Sequence, residues 1–262
     1  MQSMTPELII AIEVCLKAGK SMIGTTSPGD RVRDGESCHR LMPAYVGMEA
    51  FRLIGQSLSV TGLPVLGAYS EQVSFRVRAR WRRLWLVSVT NGQSASMKRT
   101  VGVALIDDHE PVLGVIYSPA TDELYCASID AGAYRVLNAS NSFVRTTKLS
   151  VQASNLPGKI RRPVRLVLED GSMDERMLAC IEELKHEYPE ITIVNSPSVM
   201  SICLIATGDA ELYPKIDTTC EWETAAGHAI LKATGRNLVD LGTGRELTYN
   251  KPEMINPRFI AR

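Results

Sequence analysis

EWETAAGHAILKAT, residues 221–234, reads as a helix, and its place in the chain decides the fold class. It closes a run in which strands and helices alternate: VRLVLE (164–169), the helix SMDERMLACIEELKHEY (172–188), ITIVN (191–195), the helix SVMSICLIATG (198–208) and AELYPKI (210–216). That rhythm belongs to an α/β lobe, where helices cover the faces of a sheet. His228, inside AAGHAI, reads as a packed helix residue, since His39, His109, His186 and His228 show no H-E-x-x-H or other metal-ligand spacing.

Upstream of residue 150 the pattern differs. The stretch 101–136 alternates β-branched runs with turn signals at Asp107-Asp108-His109, Pro119-Ala120-Thr121-Asp122 and Asp130-Ala131-Gly132, which predicts an antiparallel meander. LPVLGAY (63–69) and LWLVSVT (84–90) read as strands. Residues 5–23 read as a helix with Thr5 as N-cap and Pro6 at the first helical position, and residues 44–60 as a second helix ended near Gly62 and Pro64. Between them TTSPGDRVRDGESCHR (25–40) predicts a mobile surface loop. The expected architecture is an N-terminal α+β lobe over 1–150 and a smaller α/β lobe over 151–262, joined in one compact unit.

Bulk properties narrow the function classes. The 262 residues can bury a substantial core. Lys+Arg (29) balance Asp+Glu (29), which argues against a whole-surface nucleic-acid or membrane role. No apolar run is long enough to span a bilayer, and the first twenty residues carry acids within their apolar stretch, unlike a secretory signal, so a cytoplasmic location is expected. Cys15, Cys38, Cys126, Cys180, Cys203 and Cys220 contain no C-x-x-C pair, which disfavours zinc and predicts buried free thiols in a reducing compartment.

Two motifs resemble known devices and fail their structural requirements, and two others carry ordinary readings. Asn91-Gly92 between two apolar runs is a strong hairpin signal. Gly92-Gln93-Ser94-Ala95-Ser96 nearly spells a nucleophile elbow, but Ser96 replaces the closing glycine and no amphipathic helix follows. Gly19-Lys20-Ser21 ends like a phosphate-binding loop, yet Val14 stands where the first glycine belongs and the segment lies inside a helix. RVRARWRR (76–83) places Arg76, Arg78, Arg80 and Arg82 on one face if extended, with Arg83 beside them; a charge-guarded edge strand explains this better than an anion or partner site.

Taken in order, PVL (64–66), WLV (85–87), KR (98–99), VALIDDHEPVLGVIYSP (103–119), CLIATGDAELYP (203–214), EWETAAGHAI (221–230) and YNKPEMINPRF (249–259) resemble the inositol monophosphatase superfamily, in particular its CysQ-type 3'(2'),5'-bisphosphate nucleotidases. The resemblance spans essentially the whole chain. WETAAGHAI, similar to the family's W-D-T-A-A-G-H-A, is its most specific part. It implies a layered αβαβα sandwich of the inositol monophosphatase and fructose-1,6-bisphosphatase type. It also implies phosphate-ester hydrolysis by Mg²⁺ ions held on converging carboxylates.

Those carboxylates can be sought position by position through the resemblance. The family's S-E-E becomes Gly67-Ala68-Tyr69, and its D-P-L-D-G-T becomes Ser88-Val89-Thr90-Asn91-Gly92-Gln93. The aspartate of W-D-T becomes Glu223, the one acid at a well-anchored ligand position, and an aspartate carried earlier in the family falls at Gly47. A shifted register would bring Glu71 under the S-E motif. On the substrate side a serine- and base-containing segment becomes Glu169-Asp170-Gly171-Ser172, and the family's G-S-S-L-K becomes Ser196-Pro197-Ser198-Val199-Met200. Gly92, Gln93, Lys98 and Ser198 are the residual substrate-binding candidates.

The expectation is therefore a phosphatase-fold pseudoenzyme with no intact catalytic set at Ala68, Tyr69, Ser88, Asn91, Gln93 and Glu223, and with no bound cofactor. Its candidate partners are a second copy, an active paralogue or a small phosphorylated ligand. The alternatives are a weak or altered phosphomonoesterase acting on 3'-phosphoadenosine 5'-phosphate or an inositol-phosphate-like substrate through Glu71 and Glu223, or a metal-independent enzyme using Ser88, Ser94 or Ser96. A nucleic-acid binder using the arginine stretch ranks last.

Overall fold

A computed structural model describes residues 4–23, 38–90, 99–141, 145–150, 163–169, 172–196 and 200–262. The elements run α1 (Pro6–Ile23), α2 (Cys38–Leu58), β1 (Val65–Gly67), α3 (Phe75–Arg78), β2 (Arg83–Thr90), β3 (Thr100–Asp107), β4 (Glu110–Ser118), β5 (Glu123–Ser128), β6 (Gly132–Leu137) and β7 (Thr146–Leu149). They continue with β8 (Val164–Glu169), α4 (Glu175–Glu187), β9 (Ile191–Ser196), α5 (Met200–Thr207), β10 (Tyr213–Lys215), β11 (Thr219–Cys220), α6 (Glu221–Ala233), β12 (Leu238–Asp240), β13 (Ile255–Asn256) and β14 (Phe259–Ala261).

Strands β1 to β7 form one seven-stranded sheet in chain order, with β1 parallel to β2 and every later pair antiparallel. The meander expected over 101–136 is thus present. Its tight β3–β4 turn puts Asp108 and His109 at positive φ, as two-residue hairpin loops demand. A second sheet is assembled from β8 and β9, which pair in parallel, and from β10, β14 and β12. The parallel bridge Leu166–Leu212 joins the two pieces.

The period-two alternation of the strands decides the layers. In the first sheet Trp85, Val87, Val103 and Val115 face α1 and α2, while Leu84, Leu86, Ala104 and Ile116 face α5 and α6. In the second sheet Val167, Tyr213 and Phe259 face the same α5 and α6, and Leu166, Leu168, Leu212 and Ile260 face α4. The order is helix pair, sheet, helix pair, sheet, helix, which is the expected αβαβα sandwich. The middle core draws residues from both sides of residue 150, for example Leu84 and Ile202.

Several local expectations are refined. Thr5 Oγ1 accepts a hydrogen bond from the Leu8 N–H, so Thr5 caps α1 with Pro6 at its first position. Asp174 caps α4 by accepting from the Met177 N–H, which starts that helix at Glu175 and not at Ser172. Helix α2 begins at Cys38 and not near residue 44. The rest of the loop expected over 25–40 lies outside the described residues. Among those described, the cysteines Cys15, Cys126, Cys180, Cys203 and Cys220 are free thiols, and burial pushes Cys126 up to about 12. No described helix is long and apolar enough to cross a membrane.

The arginine stretch is a correction. RVRARWRR is not extended: residues 75–78 form the short helix α3, so Arg76, Arg78, Arg80 and Arg82 do not share one face. Arg78 is buried, while Arg82 and Arg83 reach Asp107 and Arg83 also reaches Glu7. The phosphate-loop look-alike is a packing contact, because a Cβ at Gly19 would stand 2.4 Å from the Tyr117 ring.

Helix α6 lies so close to the first sheet that a Cβ at Gly114 would stand 2.2 Å from the Ala226 carbonyl oxygen and 2.9 Å from Ala229 Cβ. Gly55, within α2, has open space at the same test. Gly114→Ala should therefore destabilise by about 1–3 kcal/mol through overpacking. Gly55→Ala should stabilise by about 0.5–1 kcal/mol by removing backbone freedom from the unfolded chain. Urea midpoints at unchanged slope are the check.

Candidate functional site

Parallel strands deliver their carboxyl ends to one edge, and ligands of open α/β folds lie beyond such edges. Here two sets of parallel strands do so on either side of α6. In the first sheet the register Gly67↔Val87 sets Ala68, just past β1, alongside Ser88 of β2. In the second, β8 and β9 end together at Glu169↔Ser196. Helix α6 bridges the two. A Cβ at Gly102, opposite Ser88, would lie 3.6 Å from Ser88 Cβ and 3.7 Å from Ala226 Cβ, and Ala226 is one turn beyond Glu223. On the other side the Glu223 charge contributes to raising the Tyr213 phenol, after burial and Glu169.

Of the positions singled out in the sequence, the described ones do not present converging acids. Ala68 is exposed and offers a methyl group. Tyr69 turns toward the first helix pair, its ring 6.0 Å from that of Phe51. Ser88 is buried on the α6 face of β2. Glu223 is exposed, and its Oε2 accepts the Cys220 N–H at 2.6 Å, so the carboxylate caps the helix it begins. Glu71 is exposed beyond a tight turn closed by Ser70 Oγ on Gly67. Among the described residues no group of three or more His, Cys, Asp or Glu side chains is disposed to hold a metal ion. Asn91, Gly92, Gln93, Ser94, Ser96, Lys98, Asp170, Gly171 and Ser198 lie outside the described residues, as does the Asn91-Gly92 turn expected to link β2 to β3. Gly47 is on α2, and Met200 opens α5.

A general base for Ser88 is also absent among the described histidines. His228 is fully buried, with Nδ1 on the Tyr249 hydroxyl and Nε2 on Asn237 Oδ1 and Glu246. His109 Nδ1 contacts the Tyr249 carbonyl and His186 is exposed on α4. As expected from AAGHAI, His228 is a packed helix residue. Its hydrogen bond, with help from Lys232 and Asn237, overrides burial and holds Glu246 at about 2.

What fixes the start of α6 is a network that the sequence reading did not anticipate. Glu221, fully buried, accepts the Asn250 and Lys251 N–H groups at 2.6 and 3.0 Å and pairs with Lys251 Nζ at 2.7 Å. Arg78 donates to Asn250 Oδ1 at 2.8 Å and to the carbonyls of Val73, Lys251 and Pro252, and Asn250 Nδ2 returns a bond to the Arg78 carbonyl. Asn250 sits at φ 60°, a conformation asparagine tolerates well. The one available signal was Arg78 itself, a basic residue among exposed neighbours at the position where α3 turns inward.

The carboxyl-end edge of the second sheet carries a second unforeseen group. Glu169, Tyr213 and Lys215 project from the ends of β8 and β10 toward α6, since each falls in phase with the inward-facing Val167 and Tyr213 positions. The Tyr213 hydroxyl donates to Glu169 Oε1, and Lys215 Nζ donates to Glu169 Oε2 at 2.7 Å. Lys215 also lies 3.9 Å from Asp217, which pairs with Arg176.

Comparison with known proteins gives a consistent picture. The sequence profile of the inositol monophosphatase family matches residues 96–259. The chain is similar to the 3'(2'),5'-bisphosphate nucleotidase CysQ of Salmonella typhimurium and to that of Escherichia coli K12, in each case 32% identical over 203 residues, covering 75% of this chain and 74% of the relative. Among solved structures it resembles CysQ from Bacteroides thetaiotaomicron, a bacterial member of the inositol monophosphatase family, with a TM-score of 0.83 at 28% identity over 98% of this chain and 96% of that one. Inositol monophosphatase II from Staphylococcus aureus shares the fold, with a TM-score of 0.72 at 17% identity and coverages of 98% and 91%.

Arg78→Ala should cost about 1–3 kcal/mol, because it leaves the buried Asn250 amide oxygen and three partly buried carbonyls without their donor. A double-mutant cycle with Asn250→Ala should reveal strong coupling in chemical denaturation. Glu246 gives a pH-dependent outcome. Its folded pKa lies below the ordinary 4.5, so its contribution is complete above about pH 4.5 and is lost as the pH falls toward 2. The stability gap between wild type and Glu246→Gln should therefore close over that window.

Proposed function

From the premise that the chain belongs to the inositol monophosphatase family, we propose that it is a pseudoenzyme of that fold: it keeps the bisphosphate-nucleotidase frame and has lost Mg²⁺-dependent phosphatase activity. Mg²⁺ demands near-octahedral oxygen coordination and sheds its water reluctantly, so it needs several converging carboxylates or substrate phosphates. The residues at the family-matched positions do not fit that requirement, since a methyl group, a packed tyrosine and a buried hydroxyl stand at Ala68, Tyr69 and Ser88.

The observation that carries this reading is the Glu223 carboxylate turned back on the Cys220 N–H. It is the one acid at a well-anchored ligand position, and it serves its own helix. Asn91 and Gln93 add neutral oxygens at best, and neutral oxygens do not balance the charge of two divalent cations. Loss of even one well-placed electrostatic stabiliser typically costs about 10²–10³-fold in rate. What remains for the protein is binding, in the cytoplasm, of a small ligand in the altered cleft or of a partner chain, either a second copy or an active paralogue. Its balanced charge argues against nucleic acid as that partner.

The test is hydrolysis of 3'-phosphoadenosine 5'-phosphate in saturating Mg²⁺, paired with a thermal-shift titration of the metal. The expected outcome is background turnover and no rise in melting temperature at millimolar Mg²⁺, because a ligand bound only by the native state would raise it by mass action. Robust turnover, or a metal-dependent rise abolished by Glu223→Gln, would overturn the proposal.

A further inference from the structure

The carboxyl-end edge of the second sheet holds a cation that is already engaged. Lys215 Nζ lies 2.7 Å from Glu169 Oε2, and the Tyr213 hydroxyl bonds the other carboxylate oxygen. The lysine and glutamate side chains are only 14% and 17% exposed, so solvent screens the pair weakly. Both donors converge on one carboxylate from the same strand, two residues apart on one face. A phosphate or sulfate group offers the same kind of oxygen acceptors, and a lysine beside a hydroxyl is a common way to receive one.

We infer that Glu169 is a built-in anion that determines the specificity of this cleft: it occupies Lys215 and Tyr213 and so excludes phosphorylated ligands from the wall they form. The inference deepens the proposed function and rests on its placing of a ligand cleft at this edge. Glu169 arises where the resembled nucleotidases carry a serine- and base-containing segment, so the substitution both removes a donor and supplies a competitor. Asp217, 3.9 Å from Lys215, and Glu223, on the first turn of α6, add to the repulsion of an incoming anion. The ligand class this cleft admits is accordingly uncharged or cationic at that wall.

Isothermal titration calorimetry without divalent metal tests this, with inorganic phosphate and adenosine 3',5'-bisphosphate as probes. Wild type should show no saturable binding of either in the millimolar range. Glu169→Gln should bind at least one probe about tenfold or more tightly, and the Glu169→Gln/Lys215→Met double variant should lose that gain. Wild-type binding as tight as that of Glu169→Gln, or a gain that survives loss of Lys215, would overturn the inference. Should Glu169→Gln fail to fold, Glu169→Ser takes its place: it should likewise gain phosphate binding that the added Lys215→Met removes, and no gain, or a gain that survives loss of Lys215, would overturn the inference. Turnover by wild type in the separate Mg²⁺ assay would sink the pseudoenzyme reading while leaving this metal-free comparison intact.

Discussion

The close approach of α6 to the first sheet is the constraint on which the rest of the molecule depends. Gly114 leaves no room for a side chain beneath the Ala226 carbonyl, and Ala225, Ala226, Gly227 and Ala229 keep the helix thin between two sheets. On its other flank Gly227 faces Ile202 of α5, where a Cβ would stand 2.7 Å from a methyl carbon. A helix pinned on both flanks by small residues has essentially one position, because close-packed interiors do not deform continuously. The location of its first turn, and so of the cleft, follows from this packing without any contribution from a ligand or metal.

That independence explains how the frame can persist when the cleft changes. The contacts that orient the start of α6 are Glu221 on the backbone of Asn250 and Lys251, and Arg78 on Asn250 and the neighbouring carbonyls. Each is buried and satisfied by groups within the chain, so each contributes whether or not the rim binds anything. Residues on the rim, such as Ala68 and Glu71, are exposed. They are free to vary at little cost to folding.

The layers were legible in the sequence because continuous apolar runs mark strands buried on both faces. The apolar runs VRLVLE and LWLVSVT, the cap Thr5 and the turn at Asp108-His109 are all local signals that tertiary packing did not override; the cap at Asp174 was not read from the sequence. The arginine stretch was not legible in the same way. Period two in RVRARWRR suggested a strand, but the carbonyls of Val73, Lys251 and Pro252 draw Arg78 inward and the segment closes into a helical turn around it. Two of these carbonyls, with Asn250 Oδ1 beside them, lie more than 170 residues away in the chain, beyond the reach of any local pattern. The bond between Glu169 and Lys215 was hidden for the same reason, being 46 residues apart and visible only once β8 and β10 share a sheet.

Glu221 and Glu223 show how little separates a frame residue from a cleft residue. Both are acids in the first turn of one helix, where a negative charge is favoured by the helix dipole. Two residues apart on a helix they point in different directions, so Glu221 is buried against the 249–252 segment while Glu223 is exposed. The family-like motif places an aspartate at the second position, and the extra methylene of glutamate changes what that carboxylate reaches. A glutamate at the third helical position can curl back to the N-cap N–H, which is the reach a capping box requires. Here Glu223 Oε2 accepts the Cys220 N–H at 2.6 Å. In this chain that carboxylate caps the first turn of α6, where its charge also suits the helix dipole.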